Sequence, residues 1–222
     1  MSSAYDNLSL SDLKNINPDI GKAIEKLLPP RSYTEWVKSL YEDIDDILKK
    51  HITPSSSYRH LDKEDRFNLD LAAFLKERGY NASHDTWENG HSDIVVTRDL
   101  PSKQFKWCGE TKIHKDYNYL LEGYKQLSSR YSSGLEDENH GAVIVINRNK
   151  NLKSVMEHWR NYLPENGQGY YKELKVRDCP INEIAFISSH KHEKSGLKYT
   201  VRHIPVSVYF KPIDKSSKKT KN

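Results

Sequence analysis

The segment from Gly141 to Asn147 constrains the fold of this chain more than any other. Its residues are apolar without interruption up to the final asparagine, and most of them are β-branched. A strand with one face in solvent alternates apolar and polar residues, so an unbroken run predicts a strand that is covered on both faces. We therefore expect a sheet with this segment in its middle and helices on both sides.

The segments around this strand alternate between helical and extended patterns. Helical spacing of apolar residues predicts helices over residues 61–78, 117–131 and 152–163. Strands are predicted over residues 91–98 and 105–113, joined as an antiparallel hairpin by the turn at residues 99–102. Further strands at residues 183–188 and 199–210 are expected at the edge of the sheet, around a turn at residues 194–196. The pattern predicts an α/β (α+β) fold with a central mixed β-sheet flanked by helices.

The two ends of the chain differ from this middle part. Residues 1–55 are predicted to form a helical N-terminal extension, with Pro18 as a first helical residue after Asn17, and Ser32 with Glu35 at capping-box spacing. Residues 53–57 (Thr-Pro-Ser-Ser-Ser) are predicted to be a linker-like break before the main domain, residues 56–210. The tail at residues 211–222 carries five lysines and is predicted to be disordered and basic.

Composition excludes some classes of protein. The 222 residues suffice for one domain with a small attachment, and 36% hydrophobic with 30% charged residues favours a soluble protein without a membrane span. Cys108 and Cys179 provide neither a disulfide framework nor zinc spacing, so we expect a reducing, cytoplasmic location. His190, His192 and His203 also lack zinc spacing and predict a solvated turn. The net charge of +4 permits nucleic-acid binding without requiring it.

The predicted hairpin carries a distinctive set of charged residues. Asp93 begins an apolar strand segment, and Glu110-Thr111-Lys112 lies on the second strand. Glu110 and Lys112 are two residues apart, so on a strand they share one face. Two carboxylates can hold a divalent cation, and a lysine can orient a water molecule or neutralise charge on a phosphate. The triplet acidic-x-Lys occurs three times in the chain, but only this one has a hairpin context.

This order of elements, with Asp93, Glu110 and Lys112 in these places, resembles the PD-(D/E)xK nuclease superfamily, which has the restriction-endonuclease-like fold. The resemblance covers about residues 60–150, over which a helix, a three-stranded meander, a helix and a strand can be recognised. Ser92 stands where many members have proline. The resemblance implies a Mg²⁺-dependent endonuclease (with Mn²⁺ as a substitute) that hydrolyses phosphodiester bonds in DNA.

The resemblance also assigns roles to individual residues. Asp93, Glu110, the backbone carbonyl of Thr111 and Glu64 would hold the metal, Lys112 would be the catalytic lysine, and Gln126 would steady the phosphate or the lysine. Glu64 lies three residues before the inward-facing Phe67. In the similar helix of type IV restriction enzymes, a glutamate falls at the place of Asn68.

Several of these residues have ordinary structural alternatives. Glu64 could be a carboxylate favoured by the helix dipole, and Gln126 could be a polar residue at the border of a core helix. Arg130 shares a helix face with Gln126 but could equally serve the dipole at a helix end. His91 and His114 flank the hairpin site and are expected to be polar residues near strand ends.

The sequence leaves the biological setting open. DNA is the expected substrate, and RNA is not excluded because the chemistry does not distinguish the sugar. A homodimer, or a partner that targets or activates the enzyme, would supply the missing specificity, as in effector nucleases of prokaryotic defence systems. The alternative is a non-catalytic nucleic-acid-binding or assembly subunit with a nuclease-like fold. No phosphate-binding Gly-x-x-x-x-Gly-Lys loop occurs in the sequence.

Overall fold

A computed structural model describes residues 7–87 and 91–211 of the chain. The described residues form one seven-stranded sheet with the strand order β1-β2-β3-β4-β7-β6-β5. β3, β4 and β7 are parallel to one another, and the other neighbouring pairs are antiparallel. The strands are β1 (Asn81–Trp87), β2 (His91–Leu100), β3 (Lys103–Ile113), β4 (His140–Asn147), β5 (Lys175–Asp178), β6 (Phe186–Lys191) and β7 (Lys198–Ser207).

Helices cover both faces of this mixed sheet. The helices are α1 (Leu10–Ile16), α2 (Pro18–Leu27), α3 (Tyr33–Ile47), α4 (Ser56–Arg59), α5 (Glu64–Glu77), α6 (Tyr117–Gln126) and α7 (Leu152–Gly167). α3 and α5 pack on one face, in a core that also contains Trp107 and Ile144. α6 and α7 pack on the other face, around Val143 and Val145. The prediction of an α/β fold with a central mixed sheet and flanking helices is therefore confirmed.

The central strand is β4, as the apolar run predicted. It is the fourth of the seven strands, and seven of its eight residues are buried. Alternate side chains enter the two cores, so both faces must be apolar. The antiparallel β2–β3 hairpin is confirmed as well, with Leu100 opposite Lys103 at its turn.

The N-terminal helices follow their sequence signals. Pro18 is the first residue of α2, and the Asn17 side chain accepts hydrogen bonds from the Asp19 and Ile20 backbone N–H groups. Ser32 caps α3 by accepting a hydrogen bond from the Glu35 N–H. α3 then buries eight residues, and its tyrosines donate hydrogen bonds to the sheet, Tyr33 to the Lys106 carbonyl and Tyr41 to the Gly141 carbonyl.

Three predictions about the elements are wrong. The expected linker-like break at residues 53–57 is helical, with a 3₁₀ turn at Thr53–Ser55 that leads into α4. Proline is compatible with the first turn of a helix, because its missing N–H has no intrahelical partner there. β6 and β7 are interior strands rather than edge strands, since β7 pairs with β4 and β6 pairs with the edge strand β5.

The third error is that the prediction assigns no residues to the strands β1 and β5, which are the true edges of the sheet. The segment of β1 is polar and lacks an apolar alternation, and β5 is only four residues long. Both become strands by pairing with a neighbour whose own pattern is clear. The basic tail is predicted at residues 211–222, of which residues 212–222 lie outside the described part of the chain.

Candidate functional site

The register of the β2–β3 hairpin brings the two predicted acidic ligands together. Ile94 and Gly109 are the last paired residues of this ladder, so one further step in the same register brings Asp93 opposite Glu110. Asp93 Oδ2 accepts a hydrogen bond of 2.8 Å from the Thr111 backbone N–H. The Asp93 carboxylate thus replaces the missing strand partner, which fixes it beside Glu110 where the two strands part.

Glu110 and Lys112 are embedded in the core under α6. They pair in register with Val143 and Val145 of β4, whose side chains belong to the core beneath α6 and α7. Glu110 is 2% exposed and Lys112 is 8% exposed. Ionisable groups are rarely buried to this extent without a partner, because removal from water is costly.

Glu110 and Lys112 form an ion pair with each other. Lys112 Nζ lies 2.5 Å from Glu110 Oε1, within a charge-assisted hydrogen bond. The second carboxylate oxygen, Glu110 Oε2, is buried and has no hydrogen-bond partner among the described residues. The ion pair therefore compensates the charge of the lysine but leaves one acceptor of the glutamate available.

The electrostatics of the three residues are coupled. Burial raises the pKa of Glu110, and the neighbouring Asp93 carboxylate raises it further, against the opposing effect of Lys112. Burial also raises the pKa of Asp93, although the Thr111 N–H opposes this effect. Burial lowers the pKa of Lys112, but its carboxylate neighbours, Glu110 first, outweigh burial and raise it. A further cation near the two carboxylates would favour their ionised forms.

Glu64 lies at the same end of β3 but is already engaged. It is the first residue of α5, and its Oε1 accepts a hydrogen bond of 2.7 Å from the Ile113 N–H. The Tyr119 hydroxyl lies 3.1 Å from each Glu64 carboxylate oxygen. Glu64 thus connects the start of α5, the end of β3 and the first turn of α6.

Tyr119 is a site residue that the sequence did not reveal. Besides its contact with Glu64, its ring lies under two ammonium groups, with Lys112 Nζ 5.4 Å and Lys115 Nζ 4.5 Å from the ring centroid. These distances allow cation–π attraction. The position of Tyr119 depends on the angle at which α6 crosses β3, which no local sequence signal specifies.

Gly123 makes room for the lysine. A Cβ atom at this position would lie 2.7 Å from Lys112 Cγ and 2.9 Å from its Cε, closer than side-chain carbons can approach. Gln126 is one turn further along α6 and is half-buried. Positions 119, 123 and 126 are spaced by four and three residues, so Gln126 shares the helix face that covers the site.

Other residues considered from the sequence lie elsewhere or are not described. The Thr111 side chain points to the opposite face, where it lines a small apolar cavity with Leu48 and Phe67. The centroids of the His114 and Tyr117 rings are 5.0 Å apart. Both ring nitrogens of His114 are buried without a hydrogen-bond partner among the described residues. Asn68 is buried in α5. The side chains of His91 and Arg130 lie outside the described part of the structure.

α6 is fixed to the sheet by a buried chain of hydrogen bonds. Trp159 Nε1 donates to His203 Nδ1 (3.0 Å), His203 Nε2 lies 2.9 Å from Ser188 Oγ, and Ser188 Oγ donates to the Tyr124 hydroxyl (3.2 Å). The Tyr124 hydroxyl lies 2.7 Å from His190 Nδ1. Because an indole can only donate, the chain runs in one direction, and Tyr124 donates to His190.

The predicted solvated turn at the histidines is therefore wrong. His190, His192 and His203 are all buried. Burial lowers the pKa of His190 to about 4 and holds that of His203 well below its usual value. The alternation of residues on β6 and β7 places the rings of His190 and His203 in the core and directs Lys191 outwards, and the buried His192 follows directly after β6.

Neither a cluster of three or more metal-binding side chains nor a membrane-spanning helix is found among the described residues. Across residues 7–87 and 91–211, no group of three or more histidine, cysteine, aspartate and glutamate side chains is placed to hold a metal ion. In the same part of the chain, no helix has the length and apolar character needed to cross a membrane. Both cysteines are buried free thiols.

Comparisons with models of protein families, with curated proteins and with solved structures find no match to this chain. The protein is therefore described by its fold and its site, as an α/β protein with a buried, charged site where two strands part. Its activity must be inferred from that site.

Proposed function

We propose that this protein is a Mg²⁺-dependent endonuclease that hydrolyses phosphodiester bonds in DNA, with Asp93, Glu110 and Lys112 at its centre. One observation carries the proposal. Two carboxylates and an ammonium group meet where β2 and β3 part, and one oxygen of the buried Glu110 has no partner among the described residues. A buried site of this composition is costly to maintain, which favours a role in chemistry.

The available oxygens suit a metal that takes few protein ligands. Mg²⁺ retains several waters and is commonly held by one or two carboxylates together with substrate phosphates. Glu110 Oε2 is available, and Asp93 uses Oδ2 for the Thr111 N–H. The N–H and C=O of one strand residue point to the same side, so the Thr111 carbonyl faces Asp93 as well. Glu64, with both oxygens engaged, would support this set by holding the end of β3.

Each side chain then has a defined task in hydrolysis. The bound cation would draw charge from a phosphate oxygen and acidify a water molecule. Lys112, aligned by Glu110 and Tyr119, would orient the attacking water or neutralise charge on the phosphate. Gln126, on the covering face of α6, would steady the phosphate or the lysine.

Plasmid cleavage tests this function. Wild-type protein and Lys112→Ala are incubated with supercoiled plasmid in Mg²⁺, Mn²⁺ or EDTA, and nicked and linear products are separated on a gel. We expect metal-dependent cutting by the wild type and none by Lys112→Ala. Lys153→Ala, at an exposed position of α7, is the matched control and should cut normally. Undiminished cutting by Lys112→Ala would contradict the mechanism.

A second candidate is a non-catalytic nucleic-acid-binding or assembly subunit. It is favoured by the ion pair itself, because Lys112 already compensates Glu110 without a metal. Wild-type protein that binds DNA but leaves plasmid, single-stranded DNA and RNA intact in every metal would support this role. Cutting of RNA alone would instead identify an RNA-cutting nuclease with the same residues.

The proposed enzyme works in the cytoplasm and takes its targeting from a second copy or from a partner protein. One metal centre serves one strand at a time, so a two-fold dimer would suit duplex cutting. Such an arrangement would fit an effector nuclease of a prokaryotic defence system. Sedimentation of the protein with and without duplex DNA measures whether it dimerises.

A further inference from the structure

A cluster of exposed cations lies on the sheet face opposite the candidate site. The side chains of Lys175 and Arg177 on β5, Lys191 on β6 and Lys198 on β7 are exposed and point away from the core beneath α6 and α7. We call these four residues, with Ser189 and Thr200 between them, the basic sheet face.

The strand register arranges these residues in rows. Lys191 is directly opposite Lys198, and in the next row Lys175, Ser189 and Thr200 lie side by side across three strands. Neighbouring strands are about 4.8 Å apart, so the face is about 10 Å wide. Lys175, Lys191 and Lys198 line one open groove, in which Glu173 is the acidic residue.

The cations are not accounted for by local pairing. Within residues 7–87 and 91–211, none of the four forms an ion pair or a side-chain hydrogen bond. Like charges directly opposite each other on a sheet destabilise it, so the Lys191–Lys198 pair has a cost. The fields of Lys198 and Arg177 also reach the half-buried His140, where they add to burial in lowering its pKa.

Protection of a sheet edge does not explain this arrangement. Lysines on an edge strand prevent unwanted strand pairing, and this accounts for Lys175 on β5. Lys191 and Lys198, however, lie on interior strands, at the end of the β6–β7 hairpin where they are paired with each other. Their positions are better explained by an anionic partner that lies across the face.

We propose that the basic sheet face binds the phosphodiester backbone of nucleic acid, separately from the cleavage centre. Lysine ammonium groups and serine or threonine hydroxyls are the usual contacts to phosphate oxygens, and the face offers both kinds in alternation. The choice of nucleic acid as the polyanion rests on the proposed function. Glu110 and Lys112 face the opposite core, so this contact anchors nucleic acid without touching the scissile bond.

Binding measurements in EDTA test the proposal without any cutting. A fluorescein-labelled 20-base-pair duplex is titrated with wild type and with Lys191→Gln/Lys198→Gln over a range of salt concentrations. Two lost phosphate contacts should reduce the slope of log Kd against log salt by about 2 and weaken binding at low salt about tenfold. Lys38→Gln/Lys153→Gln removes the same charge from exposed positions on α3 and α7 and should bind like the wild type.

The outcomes separate this proposal from the nuclease. An unchanged slope in Lys191→Gln/Lys198→Gln, or a wild type that does not bind duplex at low salt, overturns the basic sheet face as a binding surface. If the wild type never cuts but the variant loses binding, the surface stands and the nuclease fails. If both hold, the variant should show a raised KM and an unchanged kcat in plasmid cleavage.

Discussion

Lys112 is held from three directions, and this explains how a lysine can be buried in an apolar core. The Lys112 ammonium group forms an ion pair with Glu110 and lies beside the Tyr119 ring, and Gly123 leaves space for the aliphatic part of the lysine side chain. Removing one partner of a buried ion pair leaves an uncompensated charge, whereas removing both often costs little. The stability of the site can therefore be measured apart from its chemistry.

A double-mutant cycle measures that stability. We expect Lys112→Met alone to lower the free energy of unfolding by about 3 kcal/mol, because Glu110 loses its counter-charge. Adding Glu110→Leu should recover most of the loss, since an apolar pair suits the surrounding valines. Urea denaturation of the two single variants, the double variant and the wild type gives the coupling energy. Additive losses would show that the two side chains do not depend on each other.

At Thr111 the effect of a side chain on stability can be separated from its effect on the site, because only the backbone of Thr111 faces the candidate site. Its Oγ1 is buried and has no hydrogen-bond partner in the described part of the chain. Thr111→Val removes this orphaned hydroxyl at nearly constant shape, so we expect stability to rise by about 1 kcal/mol. Thermal unfolding and plasmid cleavage check the change together. A loss of cutting with intact folding would mean that the hydroxyl itself takes part.

At the scale of single residues, the sequence indicated the residues that one hairpin brings together but not the contacts between helices. Asp93, Glu110 and Lys112 come together because a short hairpin and the alternation of a strand determine their positions. The contact of Glu64 with Tyr119 joins two helices from opposite faces of the sheet. That contact depends on helix packing, which leaves no periodic signal in the sequence.

Among the elements, α6 connects the candidate site to the rest of the core. One side of it carries Tyr119 and Gly123 over Lys112, and Tyr124 joins the buried hydrogen-bond chain to Ser188 and His190. Side chains on neighbouring helix positions thus fix the helix against β3 on one side and against β6 on the other.

Gly123 lets α6 pack closely on Lys112, so a larger residue at this position should disturb the site. Gly123→Ala would push Lys112 away from Glu110, and we expect cutting to fall at least tenfold while the protein still unfolds cooperatively. Gly169→Ala is the control, because a Cβ there meets nothing within 4 Å. Cleavage rates and circular dichroism of both variants are the measurements. Normal cutting by Gly123→Ala would show that the lysine can move without loss of function.

The elements that the sequence missed share one property. β1 and β5 have weak local patterns, and each is a strand only because the neighbouring strand pairs with it. Residues 53–57 have a loop-like composition, yet they continue a helical path from α3 because Ile52 and Leu48 are anchored in the core. In these segments tertiary packing outweighs local preference.

For the whole molecule, the buried histidines predict how stability depends on pH. The unfolded chain binds a proton at each histidine near pH 6.5, whereas folded His190 binds one only near pH 4. Unfolding in this range takes up protons, so the free energy of unfolding should fall as the pH drops from 6.5 to 4. For His190 alone the loss is on the order of 3 kcal/mol.

His190→Asn isolates that contribution. The asparagine carbonyl can still accept the hydrogen bond from Tyr124, but the side chain has no titrating proton. Urea denaturation at pH 7 and pH 4.5 should show a smaller difference in stability for this variant than for the wild type. His158→Asn, at an exposed position of α7, should keep the wild-type difference. An equal pH dependence in all three proteins would exclude His190 as a cause.

The place of α3 in the core has a consequence for the synthesis of the chain. Tyr41 contacts a residue 100 positions later, and Asp45 pairs with Arg202 at a separation of 157 positions. At about 5–20 residues per second, the ribosome needs roughly 8–30 s to make the partner of Asp45 after Asp45 itself. β3 and β4 are made earlier in that interval and can cover part of the apolar side of the helix, but the part that packs against β7 stays uncovered until its end. The nascent chain can therefore complete its native core only after β7 has been made, long after α3 itself.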